Sequence, residues 1–220
     1  GRGPTPISSA SLGGSSSINA LICIRGHRRE YDRIKEQGLQ GWGYADVLPY
    51  FRRLESNWLG ATAYHGGDGP IRVTPVDFPE MLYEPILDAA KAMGIPRNDD
   101  PNGAVQEGIS RMEATIGDGK RSSTARAYLY PAMVRPNLTV RTGALTSRIL
   151  LEKGRAVGVE YVWDGKSREA RANREVLLSA GSYNSPQILM LSGIGPADYL
   201  KSMNIAPIHD LPGVGQNLSE

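Results

Sequence analysis

Leu12-Gly13-Gly14-Ser15-Ser16-Ser17-Ile18-Asn19 is the stretch on which the reading of this chain turns. A glycine pair and three hydroxyls lead into the apolar run Ala20-Leu21-Ile22. Glycine lets backbone approach a ligand closely and serine caps helices, so the sequence predicts a helix start here with Ser15 or Ser16 as N-cap. The first-turn N–H groups and the dipole of such a helix favour an anion. On spacing alone, a flexible loop is the competing reading. A second glycine step, Ala180-Gly181 within Leu177–Gln187, reads as strand, glycine turn and helix, the arrangement by which α/β folds place ligands at strand ends. An ordinary tight turn is the alternative there.

Outward from these two turns the pattern alternates. The residues up to Leu12 have turn chemistry and no period, and a charged segment spans Arg25 to Lys35. Apolar positions 44, 47, 48, 51 and 54 fit a helix, with Pro49 either bending it or sitting in its first turn. Leu82–Met93 is predicted as an amphipathic helix with Leu82, Ile86, Ala89, Ala90 and Met93 on one face and Gly94 as its stop. Residues 95–103 read as loop, Ile109–Ile116 as a strand and Ser122–Leu129 as a short capped helix. Beyond Asn137 the texture turns to strands: Leu138–Thr142, Ser147–Glu152, an alternating run through Val157, Val159, Tyr161 and Trp163, and a buried strand in Arg174–Ala180. Asp164-Gly165 signals a hairpin. Ser185-Pro186 reads as N-cap and first residue of a helix over Gln187–Ser192 stopped by Gly193, and Pro196 opens another turn. The change near residue 135 is the expected boundary.

Composition narrows the classes. The chain has 220 residues, 40% hydrophobic and 22% charged, with 26 glycines and 15 prolines, which is globular rather than disordered or low-complexity. A net charge of +2, with no basic block, argues against a nucleic-acid partner. Cys23 stands alone, which excludes a disulfide framework and a cysteine-based metal site. His27, His65 and His209 are too widely spaced for a local metal-ligand pair, so no metal is expected. No apolar run approaches the ~20 residues of a membrane span, and there is no signal-peptide pattern. The expectation is an α/β protein with α+β elements, cytoplasmic, with peripheral membrane association as the alternative.

Several motifs fall away on inspection. Gly165-Lys166-Ser167 ends like a P-loop, but Glu160 stands where its first glycine belongs. No G-x-G-x-x-G and no G-x-S-x-G elbow occur. The sequons at Asn137 and Asn217 are read as chance. His65, inside a glycine-rich loop, is read as a loop-stabilising residue, and Trp42, Trp58 and Trp163 as packing residues rather than stacking platforms.

LGGSSSIN-x5-RG-x4-YD (Leu12 to Asp32) and AGSYNSPQILMLSGIGP (Ala180 to Pro196) together resemble the paired signatures of the glucose–methanol–choline (GMC) flavoprotein oxidoreductases, nearest the choline-dehydrogenase-like and alcohol-dehydrogenase-like branch. The segments at 41–51, 65–73, 121–129, 137–144, 156–161 and 212–218 carry the similarity across nearly the whole chain. The resemblance implies FAD-dependent oxidation of a primary alcohol by hydride transfer to flavin N5. It implies cofactor contacts at Leu12, Gly13, Gly14, Ser15 and Asn19, with Ala20, Leu21 and Ile22 close to the flavin ring. Thr146 would hold the adenine through its backbone, and Ala180 and Gly181 would lie by the ADP portion. Some relatives carry a flavin-linked histidine where this chain has Ile18, so the FAD is expected to be non-covalent.

Such chains are typically more than twice as long. They begin with a βαβ unit and end with a catalytic histidine segment, and neither pattern is found here. The expectation is therefore part of a Rossmann-like FAD-binding domain (1–40 and 136–220) plus a substrate-binding cap (41–135), with no catalytic residue of its own. Activity would require the remaining segments of a parent polypeptide or a complementary chain, with a small-molecule alcohol as substrate. Two other readings are a non-redox binding or structural module and a hydrolase using a serine of Ser15–Ser17 as nucleophile.

Overall fold

The computed structural model describes residues 11–76 and 82–218. The chain forms two compact units, one running to Thr139 and the other from Val140. The mixed α/β class expected from the sequence is what the elements build.

In the first unit, α1 (Arg28–Glu36) and α2 (Tyr44–Leu54) precede β1 (Glu55–Asn57) and β2 (Ile71–Pro75). Asp32 accepts the Tyr44 N–H at 2.9 Å and Asp46 accepts the Gly43 N–H at 3.1 Å, which fixes the start of α2. Pro49 lies inside α2, past its first turn. β1 and β2 are parallel (Glu55↔Ile71), and β3 (Glu113–Ala114) adds antiparallel to β2. Ile71 and Val73 point into the core while Arg72 between them is exposed, the period-2 signature of a half-buried strand. The strand expected over 109–116 is shorter than predicted: only β3 and β4 (Ile116–Gly117) form, with β4 paired to β5 (Lys120–Arg121). The predicted capped helix at 122–129 is a wide turn at Ala125–Leu129 running into α4 (Tyr130–Ala132).

Two expectations in this unit are corrected. The helix after the glycine pair is a single 3-10 turn, Gly14–Ser17, with Gly13 rather than a serine at its N-cap. The Asn19 side chain accepts the Leu21 N–H at 3.1 Å and so breaks the helix, and no helix follows until Arg28. Ile22 bridges Ala114 there, and Cys23 N–H donates to Glu113 O at 2.8 Å. The second correction concerns α3 (Tyr83–Ala92), which ends at Gly94 (φ +76°) as predicted but buries Leu87 and Ala90, leaving Leu82, Ile86 and Met93 exposed. Both stripes satisfy a 3.6-residue period, and only one of them meets the core.

The second unit is a three-stranded antiparallel meander, β6 (Leu145–Glu152), β7 (Arg155–Trp163) and β8 (Lys166–Arg171). Asp164 and Gly165 both have positive φ (52° and 68°), the geometry of the predicted two-residue hairpin. Lys153-Gly154 makes a second such turn that the sequence reading passed over. Ser192 Oγ accepts the Ile149 N–H at 2.8 Å and donates to Ile188 O at 2.6 Å, tying β6 to α5 (Gly181–Leu191). β9 (Ile194–Gly195) pairs in parallel with β10 (His209–Asp210), and α6 (Ala197–Ser202) supplies Leu200, which is fully buried.

Here, too, the structure departs from expectation. Leu138–Thr142 forms no strand. Nor does Arg174–Ala180: no strand among the described residues pairs with it, and Leu177 is 81% exposed. An apolar run without a hydrogen-bonding neighbour cannot become a sheet strand. α5 starts at Gly181, four residues before Ser185-Pro186, which leaves Pro186 inside it. The Ser185 hydroxyl instead accepts the Ala180 N–H at 3.0 Å. Trp163 packs against the chain's own side chains, with the guanidiniums of Arg141 and Arg168 4.8 and 4.9 Å from its ring centre.

Candidate functional site

The Gly13–Ser17 turn is fixed from within. Gly13 has φ +90°, and a side chain there would place Cβ 2.5 Å from Ser17 Oγ and 3.0 Å from Ala125 Cβ. Its glycine is required by the turn's own packing. Ser16 Oγ donates to Gly13 O at 2.5 Å and accepts the Thr124 N–H at 3.0 Å, while Thr124 Oγ1 donates to Gly13 O at 3.1 Å. Ser17 Oγ donates to Leu12 O at 2.7 Å. Two of the three serine hydroxyls are thus consumed by the turn. The Ser15 hydroxyl makes no hydrogen bond among the described residues, and Ser15 is exposed.

Gly14 differs from Gly13. Its φ is +57°, and the space where a Cβ would sit holds no atom within 4 Å. Gly181 has the same property, with φ +85° and open space beside it. Ala180, the N-cap of α5, offers no capping side chain, and the N–H groups of Gly181, Ser182 and Tyr183 have no acceptor among the described residues. Each turn, within its own unit, therefore leaves open space beside its glycine; the Gly14 N–H is already given to Ser11 O at 3.0 Å, so the unpaired N–H groups are those of the Gly181 turn. That fits a group, such as a dinucleotide, that needs close backbone approach and N–H donors.

Beyond the turn, Leu21 adopts φ +68°, a left-handed conformation uncommon for a bulky residue. Thr115 holds it there: its N–H and hydroxyl both donate to Leu21 O, at 2.9 and 3.2 Å. Asn19 and Ala20 are exposed, and Ile18 and Ile22 keep about half their surface open, so an apolar margin borders the polar turn. Leu12 to Ile22 thus form one contiguous surface in the first unit. Thr146, Ala180 and Gly181 belong to the second unit, where Thr146 pairs with Tyr161 on β6 and Ala180-Gly181 open α5.

A buried polar network lies behind the first unit's sheet. Glu55 Oε1 accepts from Arg25 Nη2, His65 Nδ1 and the Gly66 N–H, at 2.8, 2.8 and 3.2 Å. His65 is completely buried, and its Nε2 meets Asp100 Oδ1 at 2.9 Å. Asn102 donates to Glu113 Oε2 at 2.9 Å and to Cys23 O at 3.0 Å, and Trp58 Nε1 donates to Glu113 Oε1 at 2.8 Å. Burial works against a charge on His65, but hydrogen bonds to Glu55 and Asp100 outweigh it and raise the imidazole pKa. Burial likewise opposes ionisation of Glu55, yet the His65 hydrogen bond and the Arg25 charge hold its carboxyl below the usual range. The Cys23 thiol is pushed up to about 11 by burial and by Glu55 and Glu113, so it stays protonated at neutral pH.

His65 and His27 are otherwise engaged. His65 spans two carboxylates, in keeping with a loop-stabilising role, and His27 caps α1 by accepting the Arg29 N–H at 3.2 Å. No histidine hydrogen-bonds a serine of the Ser15–Ser17 turn among the described residues. No cluster of metal-ligating side chains occurs among the described residues. Nor is any described helix long and apolar enough to cross a membrane. Sequence reasoning missed Arg121 and Thr124, which pin the glycine–serine turn, and the acids around His65. Arg121 and Thr124 lie in the 121–129 segment that carried part of the resemblance, but nothing in spacing alone links them to residues a hundred positions away.

A family model for GMC oxidoreductase matches residues 5–220. Human mitochondrial choline dehydrogenase is 51% identical over 208 residues, covering 94% of this chain and 35% of that protein. An oxygen-dependent choline dehydrogenase of Photobacterium profundum is 50% identical over 211 residues, 95% of this chain and 37% of that protein. A solved FAD-dependent oxidoreductase from Chaetomium thermophilum superposes with a TM-score of 0.87 at 30% identity, over 94% of this chain and 38% of that one. The chain thus spans little more than a third of the length of these relatives. With the family model covering almost every residue, the chain belongs to the GMC oxidoreductase family.

Proposed function

We propose that this chain supplies part of the FAD site of an enzyme that oxidises a small primary alcohol, with choline the first candidate substrate. The observation that carries the reading is the Gly13–Ser17 turn. It is locked by Thr124, and it presents open space beside Gly14 and the unengaged Ser15 hydroxyl. When bound, FAD would accept the hydride of the alcohol. The chain's own part is to bind and orient that cofactor. Gly14 would allow close approach, the Ser15 hydroxyl and the Asn19 carboxamide would meet its polar atoms, and Ile18 and Ile22 would cover apolar ring surface. The amides of Gly181–Tyr183 offer donors to an anionic group, and Thr146 would take the adenine contact. Isoleucine at position 18 has no nucleophilic atom, so the association at that position is non-covalent.

We assign no base to this chain, since His65 is sealed between carboxylates, His27 is a helix cap, and the resemblance gives His209 no catalytic counterpart. The alcohol proton would be taken by a residue from other segments of the parent polypeptide or a complementary chain. The choice of choline rests on the two choline dehydrogenase relatives.

The test is the visible spectrum of the purified intact protein. A flavin absorption band is expected, with the flavin released into the supernatant on acid precipitation. Gly14→Asp, which places a carboxylate where the cofactor must approach, is expected to abolish the band while the protein stays folded. An intact protein that is colourless and takes up no FAD on incubation would refute the proposal.

A further inference from the structure

Arg121 stands on β5, distant in sequence from the glycine–serine turn, yet its Nη1 points into it. That nitrogen lies 2.7 Å from Asn19 Oδ1, 2.8 Å from Asn19 O and 3.3 Å from Ser16 O. All three acceptors are neutral oxygens, and Arg121 forms no ion pair among the described residues. A surface arginine with no carboxylate, converging on one loop, is placed for geometry rather than for charge pairing.

Its effect on Asn19 is specific. Asn19 Oδ1 accepts from both Arg121 Nη1 and the Leu21 N–H. A guanidinium only donates, so the carboxamide cannot turn its amino group toward Arg121. Nδ2 is thereby directed outward with both donors unspent, and no described residue accepts from it. We infer that Arg121 is a positioning residue: it locks the Asn19 carboxamide so that Nδ2 is presented as a ready donor to an acceptor oxygen of bound FAD. The inference rests on the FAD reading above. It adds a residue that reaches the cofactor only through Asn19. A loop fixed before binding loses less conformational entropy when the ligand arrives, and a planar fork fixes it better than an ammonium.

The experiment titrates FAD into the apo form of the intact protein, following flavin fluorescence, for wild type, Arg121→Gln, Arg121→Lys, Asn19→Ala and the double variant. Losing charge-assisted hydrogen bonds predicts an about 10- to 100-fold weaker Kd for Arg121→Gln. Arg121→Lys should recover only part of it. In the Asn19→Ala background, Arg121→Gln should add little further loss, because its action runs through Asn19. A wild-type Kd in Arg121→Gln, full recovery by lysine, or fully additive losses in the double variant would each overturn the inference. If Arg121→Gln does not fold, the lysine variant alone and in the Asn19→Ala background carries the same comparison. A wild-type protein that takes up no FAD refutes the cofactor reading instead. The locking role is then decided by hydrogen exchange at the Leu21 amide, which must quicken in the Arg121 variants for it to survive.

Discussion

A side chain at Gly66 would place its Cβ 1.7 Å from the Arg52 carbonyl oxygen and 2.6 Å from that of Glu55. These are backbone atoms and cannot rotate away. Gly66→Ala is therefore expected to cost about 3 kcal/mol, the upper end for overpacking, with a correspondingly lower urea midpoint. Gly14→Ala meets no atom and suffers only its left-handed φ, so about 1–2 kcal/mol is expected. Equal losses at the two sites would mean that steric fit does not govern them. Nothing in the sequence showed that Gly66, unlike Gly14, is hemmed in by backbone. The contrast between a glycine demanded by neighbouring backbone and one left open to a ligand exists only once distant segments are folded together. The Leu12–Asn19 segment was legible as a glycine-led turn because its glycines and hydroxyls are adjacent. Its anchors, Arg121 and Thr124, were not, because they come from another element.

At the scale of elements, His65 joins the end of α2 and β1 to the 95–103 loop through Glu55 and Asp100. The protonated imidazole donates to both carboxylates; the neutral ring can donate to only one. Because folding raises the His65 pKa above its ordinary value of 6.5, this contribution is complete below pH 6.5 and fades as pH rises through the raised value. Glu55 behaves in the opposite sense: its lowered pKa gives stability that is present above 4.5 and lost as pH falls. Urea unfolding across this range should show a plateau between the two flanks. His65→Gln should lower the plateau by about 3–5 kcal/mol, as for a broken buried ion pair, and flatten the alkaline flank. An alkaline flank that persists in His65→Gln would exclude His65 as its source. The HGGDGP loop was legible as a loop and His65 as its stabiliser, but the acids were not, since Asp100 lies 35 positions away. Periodicity located α2 and α3 and alternation located β7. The same signals misjudged which face of α3 is covered and gave a strand to Val176–Leu178. Local pattern reports what a segment can bury, and only a packed neighbour decides whether it does.

For the whole molecule, the division at Thr139/Val140 separates two sets of buried side chains: Ile71, Val73 and Leu87 on one side, Ile149, Ile188 and Leu200 on the other. The residues expected to form cofactor segment 1–40 and cap 41–135 share the first unit, so their separation is one of proposed role. The join itself, residues 137–140, is exposed and without secondary structure, and among the described residues its backbone makes a single hydrogen bond, Leu138 N–H to Arg135 O at 3.2 Å. From Arg141 onward the chain is anchored again, through the Arg141 guanidinium on Tyr161 and Trp163 and through Trp163 Nε1 donating to Thr142 O at 3.2 Å. Proteases need a stretch of backbone that can leave its surroundings without unfolding a core, and these four residues meet that requirement. Thermolysin, which cuts before large apolar residues, is therefore expected to cleave first ahead of Leu138 or Val140. Mass spectrometry should then find two pieces that resist further digestion. First cleavage within β6–β8 or within the β1–β3 sheet would mean that the weakest point of the chain lies inside a unit, not at its boundary.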